Sequence, residues 1–248
     1  MNKFTKAIAV LMLSVVAMIM SGCKPVEPDD GGNDNGQNDT IVDNSGNLNG
    51  HDYVDLGLPS GTLWASCNVG ADHPGDRGVF FAWGETEPKG VYDWKSYKYG
   101  DCVNDCYVLN KYCTNSIFGF NGFVDSLTLL EPVDDAVRAN WGEGWRMPTR
   151  EECEELYQKT TWEWTTLDGV EGRLLTGRNG NSIFLPATGF YLDGELICTG
   201  LGIYWSSSLQ TDCQVAGWSL HFDYENCHVC GTYERARGQC VRAVRVCQ

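Results

Sequence analysis

"RMPTREECEELYQK", Arg146 to Lys159, is the stretch on which the fold class turns. Thr149 and Glu152 stand three apart at its start, the pattern of a capping box. In that arrangement the hydroxyl and the carboxylate each satisfy a backbone N–H that the first helical turn leaves unpaired. Glu151 and Glu152 also suit the positive end of a helix. Cys153, Leu156 and Tyr157 follow at the spacing of a buried helical stripe. The sequence therefore predicts a helix here, ending near Lys159.

Upstream, "EPVDDAVRANWG" (Glu131–Gly142) carries Val133, Ala136 and Val137 at i, i+3 and i+4, with Gly142 placed to stop a second helix. Further upstream, "YVDLGLPSGTLWA" (Tyr53–Ala65) alternates apolar and polar residues around Pro59-Ser60-Gly61, which predicts a hairpin. Downstream of Lys159 no helix is expected. "NSIFLPATGFY" (Asn181–Tyr191), "GIYWSSSL" (Gly202–Leu209), "WSLHFD" (Trp218–Asp223) and "CVRAVRV" (Cys240–Val246) are short β-prone runs separated by turns. The expected fold class is α+β: two helices, short and mostly antiparallel strands, and many loops. Trp83, Trp141, Trp145 and Trp205 are expected in the core. Arg146, Arg242 and Arg245 are expected in buried polar networks.

The 248 residues suffice for one large domain or two small ones, and 18 basic against 33 acidic residues give a formal charge of −15. So acidic a surface repels nucleic acid and anionic lipid, and neither is expected as a partner.

The N-terminus, "MNKFTKAIAVLMLSVVAMIMSGC", has a basic head at Lys3 and Lys6 and an apolar run from Ala7 to Met20. That run is short for a bilayer span, which takes about 20 residues. Ser21 and Gly22 then precede Cys23, which resembles the end of a bacterial lipoprotein signal. The resemblance implies lipidation at Cys23 and a lipid anchor as the sole membrane attachment. Residues 24–50 are rich in Gly, Asn and Asp, lack aromatics and read as a flexible, self-repelling tether. Its acidic start resembles the surface-export signals of Bacteroidetes lipoproteins, so the outer membrane or cell surface is the expected location. The expected organisation is signal peptide 1–22, tether 23–50 and folded domain 51–248.

Six separated blocks, in order, resemble the Fibrobacter succinogenes major paralogous domain family of Bacteroidetes. They are "YVDLGLPSGTLWASCNVGA" (Tyr53–Ala71), "FFAWGETEPKG" (Phe80–Gly90), "WGEGWRMPTREECEEL" (Trp141–Leu156), "NGNSIFLPATGF" (Asn179–Phe190), "YWSSSL" (Tyr204–Leu209) and "GQCVRAVRV" (Gly238–Val246). The resemblance implies a C-type-lectin-like fold related to the formylglycine-generating enzyme.

Chemistry-bearing motifs are sparse. Cys227 and Cys230 form a single C-x-x-C without a second knuckle, whereas zinc sites usually pair two. On a strand, residues three apart point to opposite faces and cannot share an ion. A redox pair belongs at a helix start, and no helix signal follows Cys230. Glu131-Pro132-Val133 lacks the third oxygen ligand of the lectin calcium motif, and no Trp-Asn-Asp occurs. The cysteine pair of formylglycine-generating enzymes does not map onto matching flanks, and no histidine adjoins a serine or forms H-E-x-x-H. No enzyme activity, metal or cofactor is expected. Eleven cysteines remain beside Cys23, an odd number; Cys102 with Cys106 and Cys227 with Cys230 are candidate disulfides.

The last segment, "SLHFDYENCHVCGTYERARGQC" (Ser219–Cys240), interleaves two kinds of position. Leu220 and Phe222 have the period of an inward strand face, and Ser219, His221 and Asp223 that of the outward face. The outward residues are chemically miscellaneous, unlike an ordinary solvated face. That mixture resembles the targets of diversity-generating retroelements, in which rewritten asparagine codons yield this set of residues. The candidate ligand-binding face comprises Asp212, Cys213, Ser219, His221, Asp223, Tyr224, Cys227, His228, Cys230, Gly231, Thr232, Tyr233 and Ala236. Leu220, Phe222, Val241 and Val244 are expected beneath it. The expected function is binding of an external protein or glycan by a surface lipoprotein. A structural or adhesive component without a discrete site is the alternative, and an enzyme of the formylglycine-generating superfamily is third.

Overall fold

The computed structural model describes residues 43–104 and 106–246. The expected signal peptide, Cys23 and residues 23–42 of the tether lie outside the described residues. Among the described residues the chain forms fourteen strands and two α-helices, an α+β arrangement of small antiparallel sheets. No helix among them is long and apolar enough to cross a membrane.

The first sheet contains β1 (Gly46–Leu48), β2 (His51–Val54), β3 (Thr62–Asn68) and β14 (Arg242–Val246), in the order β1-β2-β3-β14. The expected hairpin is β2 with β3, pairing Tyr53 with Ala65 and Val54 with Trp64. Gly61, at φ +73°, donates its N–H to Leu58 O at 2.9 Å in the intervening turn. The folded part starts earlier than His51. β1 pairs with β2 inside the segment read as tether, and Asn44 donates its N–H and Nδ2 to the Asp55 carboxylate. With one apolar residue in "GNL", β1 carries no hydrophobic pattern and is held by pairing instead.

Helix α1 (Ala136–Trp141) is capped by Asp135, whose Oδ1 accepts from Val137 N and Arg138 N and whose Oδ2 accepts from Met147 N. Gly142 ends it at φ +84°. Ala136 and Val137 are buried as expected, but Val133 is 70% exposed. Pro132–Asp134 forms a separate 3-10 turn, and the extended backbone of Asp135 resets the phase before the helix begins. Helix α2 (Arg150–Lys159) carries the capping box in full: Thr149 Oγ1 accepts from Glu152 N, and Glu152 Oε2 accepts from Thr149 N at 2.8 Å. Arg146 closes the arrangement with a two-pronged ion pair to Glu152. Cys153 and Leu156 are buried, whereas Tyr157 is 42% exposed, on the flank of the expected stripe.

The second sheet joins β6 (Thr161–Leu167), β7 (Val170–Thr176) and β8 (Ser182–Pro186). The third joins β11 (Gly202–Leu209), β12 (Ala216–Phe222) and β13 (Cys227–Glu234). Hairpins β4 (Gly100–Val103) with β5 (Cys106–Leu109), and β9 (Phe190–Leu192) with β10 (Glu195–Ile197), complete the set. The core holds Trp64, Trp83, Trp145, Trp205 and Trp141, including all four tryptophans expected there.

Two buried arginines tie the layers together. Arg242 donates to Asn68 Oδ1, Ala65 O, Ser66 O and Phe184 O, so one guanidinium joins β14 to β3 and β8. Arg235 donates to Tyr112 O and Lys111 O and lies 5.0 Å over the Trp83 ring. Satisfying a buried cation with carbonyl acceptors offsets the large cost of removing it from water. Arg245, also expected in a buried network, is only half-buried, over the Tyr53 ring at 4.5 Å.

Candidate ligand-binding surface

β12 and β13 form the hairpin that carries most of the candidate face. Its register runs from Ala216 opposite Glu234 to Phe222 opposite Cys227. Between Ser219–Gly231 and His221–His228 the register shifts, because β13 holds one residue more than β12. Such a bulge breaks simple alternation. It is one reason the period-two expectation holds for only part of the segment.

The inward set is as expected: Leu220, Phe222, Val241 and Val244 are buried. Phe222 lies across β11 where Gly202 leaves room; a Cβ at Gly202 would sit 1.9 Å from the ring. The outward set divides. Ser219 is only 1% exposed and donates its hydroxyl to Gln239 Oε1 at 2.8 Å. Ala236 and Gly231 are also buried, so Ser219, Gly231 and Ala236 do not belong to a surface. The segment Arg235–Cys240 folds back over this side of the hairpin, a long-range packing that strand periodicity cannot reveal. His221, Thr232 and Tyr233 are half-buried, with Tyr233 packed 5.7 Å from Phe190. Asp212 and Cys213 are exposed in the β11–β12 turn, away from the hairpin tip.

Cys227 is half-buried, and burial pushes its thiol up to about 12, the reverse of the activation a redox cysteine needs. His228 stands opposite His221, and Cys230 falls at the bulge. Cys106 and Cys227 both stand as thiols. In the β4–β5 register Cys102 faces Tyr107 and Cys106 faces Val103, which puts the two cysteines on opposite faces and disfavours their pairing. Among the described residues no three His, Cys, Asp or Glu side chains could hold a metal ion.

The exposed part of the hairpin is its tip, Tyr224–Asn226, which follows the half-buried Asp223. Asp223 Oδ1 accepts from Glu225 N at 2.8 Å and Asn226 N at 2.6 Å, and Asp223 N donates to Asn226 O. Arg173 on β7 reinforces the turn from beneath. Its Nη2 donates to Asp223 O at 2.7 Å and Tyr224 O at 3.0 Å, and its Nη1 to Trp162 O. Tyr224 stands on this pinned turn with 71% of its surface exposed.

Tyr224 is not isolated. Its ring meets Trp164 on β6 at 6.0 Å and 82°. Trp162 and Trp164 alternate along β6 and so share a face, about 7 Å apart. Trp162 packs on Phe222 from above at 5.8 Å and meets Tyr157 at 6.1 Å. Of these four aromatic side chains Tyr157 and Tyr224 are exposed, whereas Trp162 and Trp164 are half-buried and pack against the core. Of the four, the sequence points only to Tyr224 as a surface contact; the W-x-W alternation of "TWEWTTL" is the signal that places the two tryptophans on one face, and Tyr157 lies outside the core its helical spacing predicts.

Comparison of the chain with protein-family models, curated proteins and solved structures finds no match.

Proposed function

We propose that the chain is a lipid-anchored surface protein, with a C-type-lectin-like domain, that binds an external ligand through the tip of the β12–β13 hairpin. One observation carries this: Tyr224 is largely exposed on a turn fixed by Asp223 and Arg173. A large, stiff side chain on a pre-ordered backbone loses little entropy when it is covered, which favours recognition. The two helices and small antiparallel sheets suit the lectin-like fold, and the Ser-Gly-Cys signal supports the anchor. In this proposal, retroelement diversification is confined to positions that tolerate change, such as those of the tip; buried Ser219 and Ala236 do not.

The alternative, an adhesive component without a discrete site, draws support from a second surface. Ile117 (82% exposed), Phe120 and Val124 project from the loop before α1. Exposed apolar groups clustered in one segment mark contact surfaces.

Two experiments test the proposal. Cys23→Ala should move the protein out of the membrane fraction; persistent membrane partitioning with labelled palmitate would sink the anchor. Binding of the full chain to arrays of extracellular glycans and proteins should fall at least tenfold with Tyr224→Ala. Unchanged array binding would remove the tip from recognition and leave the adhesive alternative.

A further inference from the structure

Independently of the recognition surface, we infer that Lys111 and Asp134 condense into an intramolecular amide, with Glu131 carrying the proton, and so close the segment between β5 and α1 into a covalent ring.

Lys111 follows β5, and Asp134 ends the 3-10 turn before α1. The Asp134 side chain is 2% exposed, and three donors converge on its carboxylate. Lys111 Nζ and Tyr112 OH each lie 2.6 Å from Oδ2, and Tyr99 OH donates to Oδ1. Lys98 Nζ stands 3.6 Å from Oδ1. The Lys111 amine also lies 2.5 Å from Glu131 Oε2. Glu131 is held in place by its backbone: its N–H donates to Tyr112 OH, and its carbonyl accepts from Asp134 N. The rings of Tyr99 and Tyr112 wall the amine at 5.7 and 5.1 Å. An amine, a buried carboxyl and a second carboxylate able to act as a base are thus in mutual contact.

The resting pair is ionic. Burial opposes charge on Lys111, but hydrogen bonds to Asp134 and Glu131 outweigh it and hold the amine above its usual range. Burial likewise opposes charge on Asp134, but Lys111, Tyr112 and Tyr99 outweigh it and hold the carboxyl below its usual range. Condensation uses the same protons, placed differently. Glu131 takes one ammonium proton, and the freed amine attacks Asp134 Cγ to form the N–C bond. Tyr99 and Lys98 face the charge that develops on Oδ1. The Cγ–Oδ2 bond then breaks, and Oδ2 leaves as water with the proton held by Glu131 and a second from the attacking nitrogen. An ammonium and a carboxylate become an amide and one water; nothing is oxidised or reduced, and Glu131 ends as it began. Fixed neighbours of this kind react with effective molarities of about 10⁵–10⁸ M. The product also removes two charges from a site where charge is costly. The ring encloses residues 112–133, and with them the loop that exposes Ile117, Phe120 and Val124. A proteolytic cut in that loop then leaves the chain in one piece.

The test is tryptic digestion of the purified, denatured full chain, read by mass spectrometry. Trypsin cuts after a free lysine and not after one whose amine is an amide. The expected result is no cut at Lys111, and a branched peptide that joins Lys111 to the Asp134 segment and is one water lighter than its two parts. Lys111→Arg, which keeps the positive charge, should abolish the branched peptide. Glu131→Gln, at a half-exposed side chain, should lower its yield at least tenfold with the circular dichroism unchanged. Complete cleavage at Lys111 in the unmodified chain, with both peptides at full mass, overturns the inference. An undiminished yield in Glu131→Gln overturns the part given to Glu131.

Discussion

The base and the tip of the β12–β13 hairpin come from one continuous segment of similar composition, yet they obey different rules. At the base, Ser219, Leu220 and Ala236 are enclosed on both sides of the sheet. α2 and β6 cover one face and the returning segment Arg235–Cys240 covers the other. At the tip, Tyr224–Asn226 project beyond both covers and are held by hydrogen bonds to Asp223 and to Arg173. Chemical variety in a sequence is therefore a poor guide to exposure. What separates the two ends is whether another part of the chain comes back to cover them.

Substitutions can sharpen that contrast. The largest effect is expected at the base: Leu220→Ala empties a site walled by core side chains and should cost about 2–5 kcal/mol in equilibrium denaturation. If the cost is under 1 kcal/mol, the base is not enclosed as described. Next, Ser219→Ala removes the hydroxyl that Gln239 accepts from and leaves that buried oxygen unpaired, at about 1–3 kcal/mol. A solvated Ser219, as its place in the alternation suggested, would give no measurable change. Thr149→Ala acts on the base indirectly, by uncapping the helix that covers it, and should cost about 1 kcal/mol. Unfolding curves that superimpose would show that the capping box adds nothing to the assembled domain. Smallest is the tip: Tyr224→Ala should shift stability by less than about 0.5 kcal/mol while reducing ligand binding. A loss comparable to that of Leu220→Ala would erase the distinction between the two ends.

What the sequence revealed follows the range of the interactions involved. α2 was legible because its capping box needs only residues 149–152, and the β2–β3 hairpin because its turn chemistry is local. Val133 was misplaced by a single residue's backbone, the extended Asp135 that starts α1 afresh. β1 was invisible because its strand character comes from its partner. At the candidate site, Tyr224 could be nominated from the segment itself, but Trp162, Trp164 and Arg173 come from a hairpin about 50 residues away in sequence. No periodicity links them to the tip; only the packing of β6–β7 beside β12 does. Buried Ser219 failed for the same reason, since Gln239 reaches it across a fold-back of twenty positions.

The guanidinium of Arg242 also sets a clock. Its partner Asn68 lies 174 positions earlier in the chain. At a synthesis rate of roughly 5–20 residues per second, the interval between the appearance of the two is about 9–35 s. Throughout that time β3 lacks β14 as its neighbour, and the carbonyls of Ala65 and Ser66 have no guanidinium to accept from; Phe184 precedes Arg242 by only 58 positions. The β3–β14 pairing, and the sheet edge it completes, can form only once Arg242 has been made.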